Sequence, residues 1–138
     1  MITLVVDTNI IISALIKDSV ARAILVHPAF TFLLPDYSIR EIKRYVQFLE
    51  KKTGLNKEEL LGLLDGLLEN VVVFGFEDYR GNYGRAEDIM KGIDLDDAPF
   101  IALALSKPNQ GIWTNDKHLH KQTKVKTWTT QELYEKIR

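Results

Sequence analysis

Five short apolar runs, set apart by stretches of helical periodicity, constrain this chain more than any other feature. They are "ITLVV" (2–6), "FTFLL" (30–34), "VVVFGF" (71–76), "GIWTN" (111–115) and "VKTWT" (125–129). The first is apolar and β-branched at consecutive positions, the pattern of a strand buried on both faces. Between the runs, "TNIIISALI" and "VARAILVH" read as helices broken around residues 17–19. "DYSIREIKRYVQFLEKKT" reads as one long helix closed by Gly54, and "NKEELLGLLDGLLEN" opens with the capping-box pair Asn56 and Glu59. In the latter, Leu60, Leu63, Leu64, Leu67 and Leu68 share one face, as core or interface. "APFIALALS" and "TQELYEKI" supply two more helices. The polar stretch 79–92 carries Gly81, Gly84 and, just beyond a short helix, Gly92, and is a candidate mobile segment. Strands alternating with helices imply a parallel sheet covered on both sides: an α/β, three-layer α/β/α sandwich of about five strands. A length of 138 residues suits one domain, 1–138.

With 46% hydrophobic and 27% charged residues the chain is not a disordered one. It has no cysteine, which excludes disulfides and thiolate metal sites and fits a reducing cytoplasm. No basic segment precedes Asp7, so no signal peptide is expected, and "IIISALI" is too short to span a bilayer; no membrane partner is expected. The net charge of −1 points to no partner, yet it hides an uneven distribution. Residues 77–97 hold seven acids against three bases, a net of −4, and residues 107–126 hold five lysines against Asp116, a net of +4. Such blocks fit a metal site beside a phosphate-binding rim, and equally two solvated faces.

The acids occupy telling places. Ligands of parallel sheets bind outside the carboxyl ends of the strands. Asp7 ends the first strand, Asp116 follows the fourth, and Glu41 lies in the first turns of the helix after the second. An acid closing an apolar strand is costly unless paired or bound to a cation, whereas Glu41 could also be an ordinary surface residue. The stretch "DLDD" (94–97) opens the helix that leads into the fourth strand. One aspartate there would serve as a helix cap. Three carboxylates, Asp94, Asp96 and Asp97, repel one another unless a cation or water lies between them, which suggests a cation site.

Taken together, "VVDTNIIISAL" (5–15), Glu41 in "SIREIKR", "DLDDAPFIALAL" (94–105) and "WTNDKHL" (113–119) resemble the motifs of PIN-domain nucleases, over almost the whole chain. The nearest group is that of bacterial and archaeal toxin components of toxin–antitoxin pairs. The resemblance implies an Mg²⁺- or Mn²⁺-dependent endoribonuclease, an RNA substrate, a cognate antitoxin protein and a homodimer. It carries the catalytic, metal-holding acids onto Asp7, Glu41, Asp97 and Asp116, the third because "DAPFIALAL" matches the family's pattern. Asp94 and Asp96 become outer-shell candidates, Asp96 alternatively a helix cap. Thr8, Asn9, Thr114 and Asn115 are placed to fix the carboxylates by hydrogen bonding, Asn9 and Thr114 foremost. Carboxylate-held cations need no histidine or serine nucleophile, because they lower the pKa of bound water and neutralise transition-state charge.

For RNA phosphates the candidates are Arg22, Arg40, Lys43 and Arg44, the last three flanking Glu41, with Lys117, Lys121 and Lys124 after Asp116. His118 and His120, two apart, share no helix face and have no thiol or third nearby histidine, so zinc is disfavoured and the pair is assigned to an RNA path. Trp113 and Trp128 are expected in the core. Two other classes compete. A receiver-like magnesium-binding phosphoacceptor would want an acid pair at the first strand and an aspartate ending the third, and a dehalogenase-like phosphatase would want an acid where Asn9 stands. A catalytically inactive PIN-like binding module is a third alternative, and the four retained acids argue against it.

Overall fold

In the computed structural model, which describes residues 1–138, side chains alternate along β1 (Ile2–Val6) and found two separate cores. Leu4 and Val6 join one cluster and Val5 the other, all fully buried, as the period of two in a strand requires. The first cluster continues through β2 (Phe30–Pro35) and into α1 (Thr8–Ile16), α2 (Val20–Leu25), α3 (Asp36–Arg44), α4 (Val46–Thr53), α5 (Lys57–Leu67) and α9 (Thr130–Ile137). The second gathers α6 (Tyr83–Met90), α7 (Ala98–Ser106) and Leu119 of the short α8 (Lys117–Lys121) on the opposite face. The expected three-layer α/β/α sandwich is therefore present.

With β3 (Val71–Phe74), β4 (Ile112–Trp113) and β5 (Thr127–Trp128), the sheet is wholly parallel and ordered β3-β2-β1-β4-β5. This order excludes the receiver-like alternative, whose sheets run 2-1-3-4-5 and place the third strand beside the first. Here β3 is an edge strand. The chain leaves β1 for β2 on one side and returns to β4 on the other, so a crevice opens between the carboxyl ends of β1 and β4.

Several elements depart from the sequence expectation. The long helix 36–53 breaks at Tyr45 (φ −96°, ψ 5°), whose N–H bonds Ile42 O at 3.0 Å in a tightened last turn. The break keeps Ile42 and Leu49 in the core and leaves Tyr45 and Phe48 about half exposed. Gly54, at φ 74°, closes α4. The third strand stops at Phe74, and Phe76 begins a 3-10 turn packed edge-on against Tyr79 and Tyr83. Segment 79–92 is pinned to the second core by Tyr79, Ala86 and Met90. On α5, Leu60, Leu64 and Leu67 are buried and Leu63 and Leu68 pack against the same cluster, so that face is core.

Candidate functional site

The register of β1 and β4 builds the centre of the crevice. Val6 pairs with Trp113, so the next residues, Asp7 and Thr114, come side by side. The Thr114 hydroxyl donates to Asp7 Oδ2 at 2.7 Å and accepts from Asp116 N at 2.9 Å, tying the two acids to one side chain. Asp7 Oδ1 accepts from Asn9 N at 3.3 Å and caps α1. One layer away, the Thr8 hydroxyl donates to Glu41 Oε1 at 2.8 Å. Its single proton is thereby used, so Ser38, 2.6 Å away, is the donor to Thr8. A sequence reading had no signal for Ser38; only the packing of α3 on α1 brings it there.

The aspartates of "DLDD" divide their work. Asp94 Oδ1 accepts from Asp96 N at 3.0 Å and starts a 3-10 turn over Leu95–Asp97, so the cap is Asp94 and not Asp96. Asp96 is exposed. Asp97 stands at the N-terminus of α7 and caps nothing. It is only 8% exposed, and its Oδ2 is buried without a hydrogen-bond partner. A buried carboxylate oxygen in that state is expensive unless neutralised or bound.

Electrostatics register the same cluster. Burial, followed by the charges of Asp116, Asp7, Asp94 and Asp96, pushes the Asp97 carboxyl up to about 7. Asp7 is also raised: burial outweighs its bonds from Thr114 and Asn9, and the charges of Asp116 and Glu41 add to it. Asp7, Asp97 and Asp116 thus share one field, which Glu41 joins through Asp7. The Tyr37 phenol, pushed up to about 12 by burial and then by Glu41 and Asp96, faces this field as well.

The tightest set of metal-competent groups is not the four acids. One carboxylate oxygen each of Asp94 and Asp97 and a ring nitrogen of His118 lie within 4.8 Å of one another. His118 Nδ1 is 3.2 Å from Asp94 Oδ2 and 3.6 Å from Asp116 Oδ1. The short α8 delivers it, capped by Asp116 Oδ1 accepting from His118 N at 2.8 Å. Asp94 and Asp97 lie more than twenty residues before His118 in the chain, so their approach to it carries no local sequence signal.

Other expected site residues turn elsewhere. Asn115 exchanges hydrogen bonds with Thr130 at the start of α9, donating at 2.9 Å and accepting at 3.1 Å, and supports no carboxylate. The Asn9 side chain is exposed and lines a cavity of about 200 Å³ with Asp7, Ser13 and Asp116. Arg22 is not free for phosphate: its Nε and Nη2 donate to Ala14 O at 2.9 and 2.7 Å, satisfying a carbonyl at the end of α1. Arg40 pairs with Asp36 at 3.3 Å. The half-buried His120 spends both ring nitrogens within the protein, its Nε2–H donating to Thr114 O at 2.8 Å and its Nδ1 lying 2.7 Å from Thr127 Oγ1. Trp113 is core, stacked obliquely on Phe32, while Trp128 is partly buried beneath Lys126 and Lys136.

Lys43, Arg44, Lys117 and Lys121 remain exposed and free of ion pairs. Lys43 and Arg44 close α3, and Lys117 and Lys121 open and close α8, which follows Asp116 directly. The largest cleft, about 730 Å³, lies apart from the acids, lined by Lys43, Arg44, Lys57 and Glu50. A smaller cavity, about 240 Å³, is lined by Asn9, Ile12, Glu41, Tyr45 and Phe48.

The architecture matches the crystal structure of VapBC2 from Rickettsia felis bound to a DNA fragment from their promoter, with a TM-score of 0.70 and 18% identity, over 93% of this chain and 98% of that one. No curated protein matches the sequence. At such low identity the likeness speaks for the fold. A family model described as the PIN domain matches residues 5–138, a span that includes all five strands' carboxyl ends and every acid from Asp7 to Asp116, and by that match the chain belongs to the PIN-domain family.

Proposed function

We propose that residues 1–138 act as one domain, an Mg²⁺- or Mn²⁺-dependent endoribonuclease, and that Asp7, Glu41, Asp97 and Asp116 are its catalytic acids. PIN domains are generally nucleases, and the observation that carries the metal dependence is Asp97: a buried carboxylate with an unpartnered oxygen among like charges is relieved by a bound cation at the pH where it is ionised. A bound divalent cation would supply water of lowered pKa and relief of charge on a phosphorane-like transition state. The chain's own groups then position the acids. Thr114 holds Asp7 and Asp116 together, and Thr8, itself held by Ser38, orients Glu41. Lys43, Arg44, Lys117 and Lys121 would take RNA phosphates, together with the donors of Arg40 that its pairing with Asp36 leaves free.

The same proposal includes a toxin role, a cognate antitoxin and a homodimer; the motifs' likeness to toxin components supports them, and the fold shared with the VapBC2 complex is consistent with an antitoxin partner. The cysteine-free composition fits a reducing cytoplasm, where we place the activity. No helix is long and apolar enough to cross a membrane. The test is incubation of the purified protein with a mixed RNA pool in Mg²⁺, in Mn²⁺ and in chelator. Cleavage confined to the metal-containing reactions is expected. Cleavage that survives chelation would overturn metal dependence, and intact RNA under every condition would leave a binding module.

A further inference from the structure

The Asp94–Asp97–His118 set uses neither Asp7 nor Glu41, and it joins the 3-10 turn before α7 to the short α8. A plain ion pair accounts for only part of it. A protonated His118 would satisfy Asp94 at 3.2 Å and Asp116 at 3.6 Å, yet Asp97 Oδ2 would stay buried and unpartnered. A cation between the three groups would take one oxygen from each aspartate and the ring nitrogen, and would neutralise the Asp97 carboxylate as a whole. The second ring nitrogen needs no partner inside the protein, because the His118 side chain is 48% exposed.

We propose that Asp94, Asp97 and His118 form a second cation site, adjoining the four-acid cluster and sharing Asp97, and that it takes a first-row transition cation such as Mn²⁺ in preference to Mg²⁺. The ligand chemistry sets the preference. Mg²⁺ takes oxygen ligands in a near-ideal octahedron and sheds water reluctantly, whereas Mn²⁺ accepts an imidazole nitrogen more readily, and the later first-row divalent ions more readily still. Two carboxylates and one imidazole leave coordination positions for water or a phosphate oxygen. Adjoining cations that share a carboxylate can also steady the attacking and leaving oxygens of a phosphodiester together. The inference rests on the acid cluster being a cation site, and it adds a nitrogen ligand that the four acids lack.

Mn²⁺ binding to the full chain, followed by pulsed electron paramagnetic resonance, tests it. Wild-type protein should bind one Mn²⁺ with nitrogen hyperfine modulation and one without. His118→Ala and Asp94→Asn should lose the nitrogen-coupled ion, with Mn²⁺ affinity at that site weakened about tenfold or more. Asp7→Asn should keep it, and His118→Ala should leave Mg²⁺ affinity unchanged. His118 is half exposed, so its truncation spares the core, which a thermal melt verifies. Bound Mn²⁺ without nitrogen modulation would overturn the second site while leaving the acid cluster as a cation site. Loss of the nitrogen signal in Asp7→Asn would overturn it too, by showing one shared ion. No Mn²⁺ binding at all would sink both.

Discussion

Replacing Asp97 by asparagine should make the metal-free protein more stable, by an amount that depends on pH. In the folded chain the carboxyl titrates at about 7, against 3.8 ordinarily, because burial and the charges of Asp116, Asp7, Asp94 and Asp96 disfavour its ionised form. Between those values the folded protein holds a proton that the unfolded chain has released. Stability contributed by this group is therefore full below pH 4 and falls as pH rises towards 7, after which the loss is constant. Raising a carboxyl over that interval corresponds to about 4 kcal/mol, an upper figure because the neighbouring acids titrate together. The substituted amide cannot ionise and escapes the loss. Urea melts of wild type and Asp97→Asn in chelator, from pH 4 to pH 8, should agree at the acid end and diverge to a few kcal/mol at pH 8. A gap of that size is worth on the order of 10 °C in melting temperature. A difference between the two proteins that stays flat across this range would refute the electrostatic argument.

Mg²⁺ at about 100 times its dissociation constant should stabilise wild type by about 2.7 kcal/mol, the shift shrinking in Asp7→Asn and Asp97→Asn but persisting in Asp94→Asn; thermal melts decide it. Mn²⁺ should act more strongly than Mg²⁺. Thr114→Val should cost about 2 kcal/mol by stranding Asp7 Oδ2 and Asp116 N, and Thr114→Ser should restore most of it in the same denaturation assay. Replacing Lys117, Lys121 and Lys124 together by glutamine should weaken RNA binding and flatten the log–log salt slope by up to about 2, and an unchanged slope would make them ordinary surface.

How far the sequence could be read depended on whether a residue's neighbours lie within its own element. Asp7 and Asp116 were legible because each follows an apolar strand, and parallel strands deliver their carboxyl ends to one edge. The capping boxes of α5 and α9 are local, and the one read in advance, Asn56 with Glu59, forms as written. The contact of Arg22 is not legible locally, because its acceptor, Ala14 O, belongs to the preceding helix across a turn. The partner of Asn115 is equally remote, Thr130 at the start of α9, which folds back onto it. Helix α8, five residues long, is too short to show periodicity, so nothing in "NDKHLHK" foretold that His118 would meet Asp94. The break at Tyr45 leaves no mark in composition; it depends on two helices packing on one core. The "DLDD" ambiguity between cap and cation site needed side-chain directions, which assign capping to Asp94 and leave Asp97 uncapped and unpartnered.

The most direct test of the account pairs two readings on one sample of Asp97→Asn at pH 7.5: RNA cleavage in Mn²⁺ and melting temperature in chelator. A metal-holding catalytic acid predicts cleavage at least about a hundredfold below wild type, in a protein whose melting temperature exceeds that of wild type. Cleavage at the wild-type rate would contradict the assignment of Asp97 and, with it, the metal-dependent nuclease built around it.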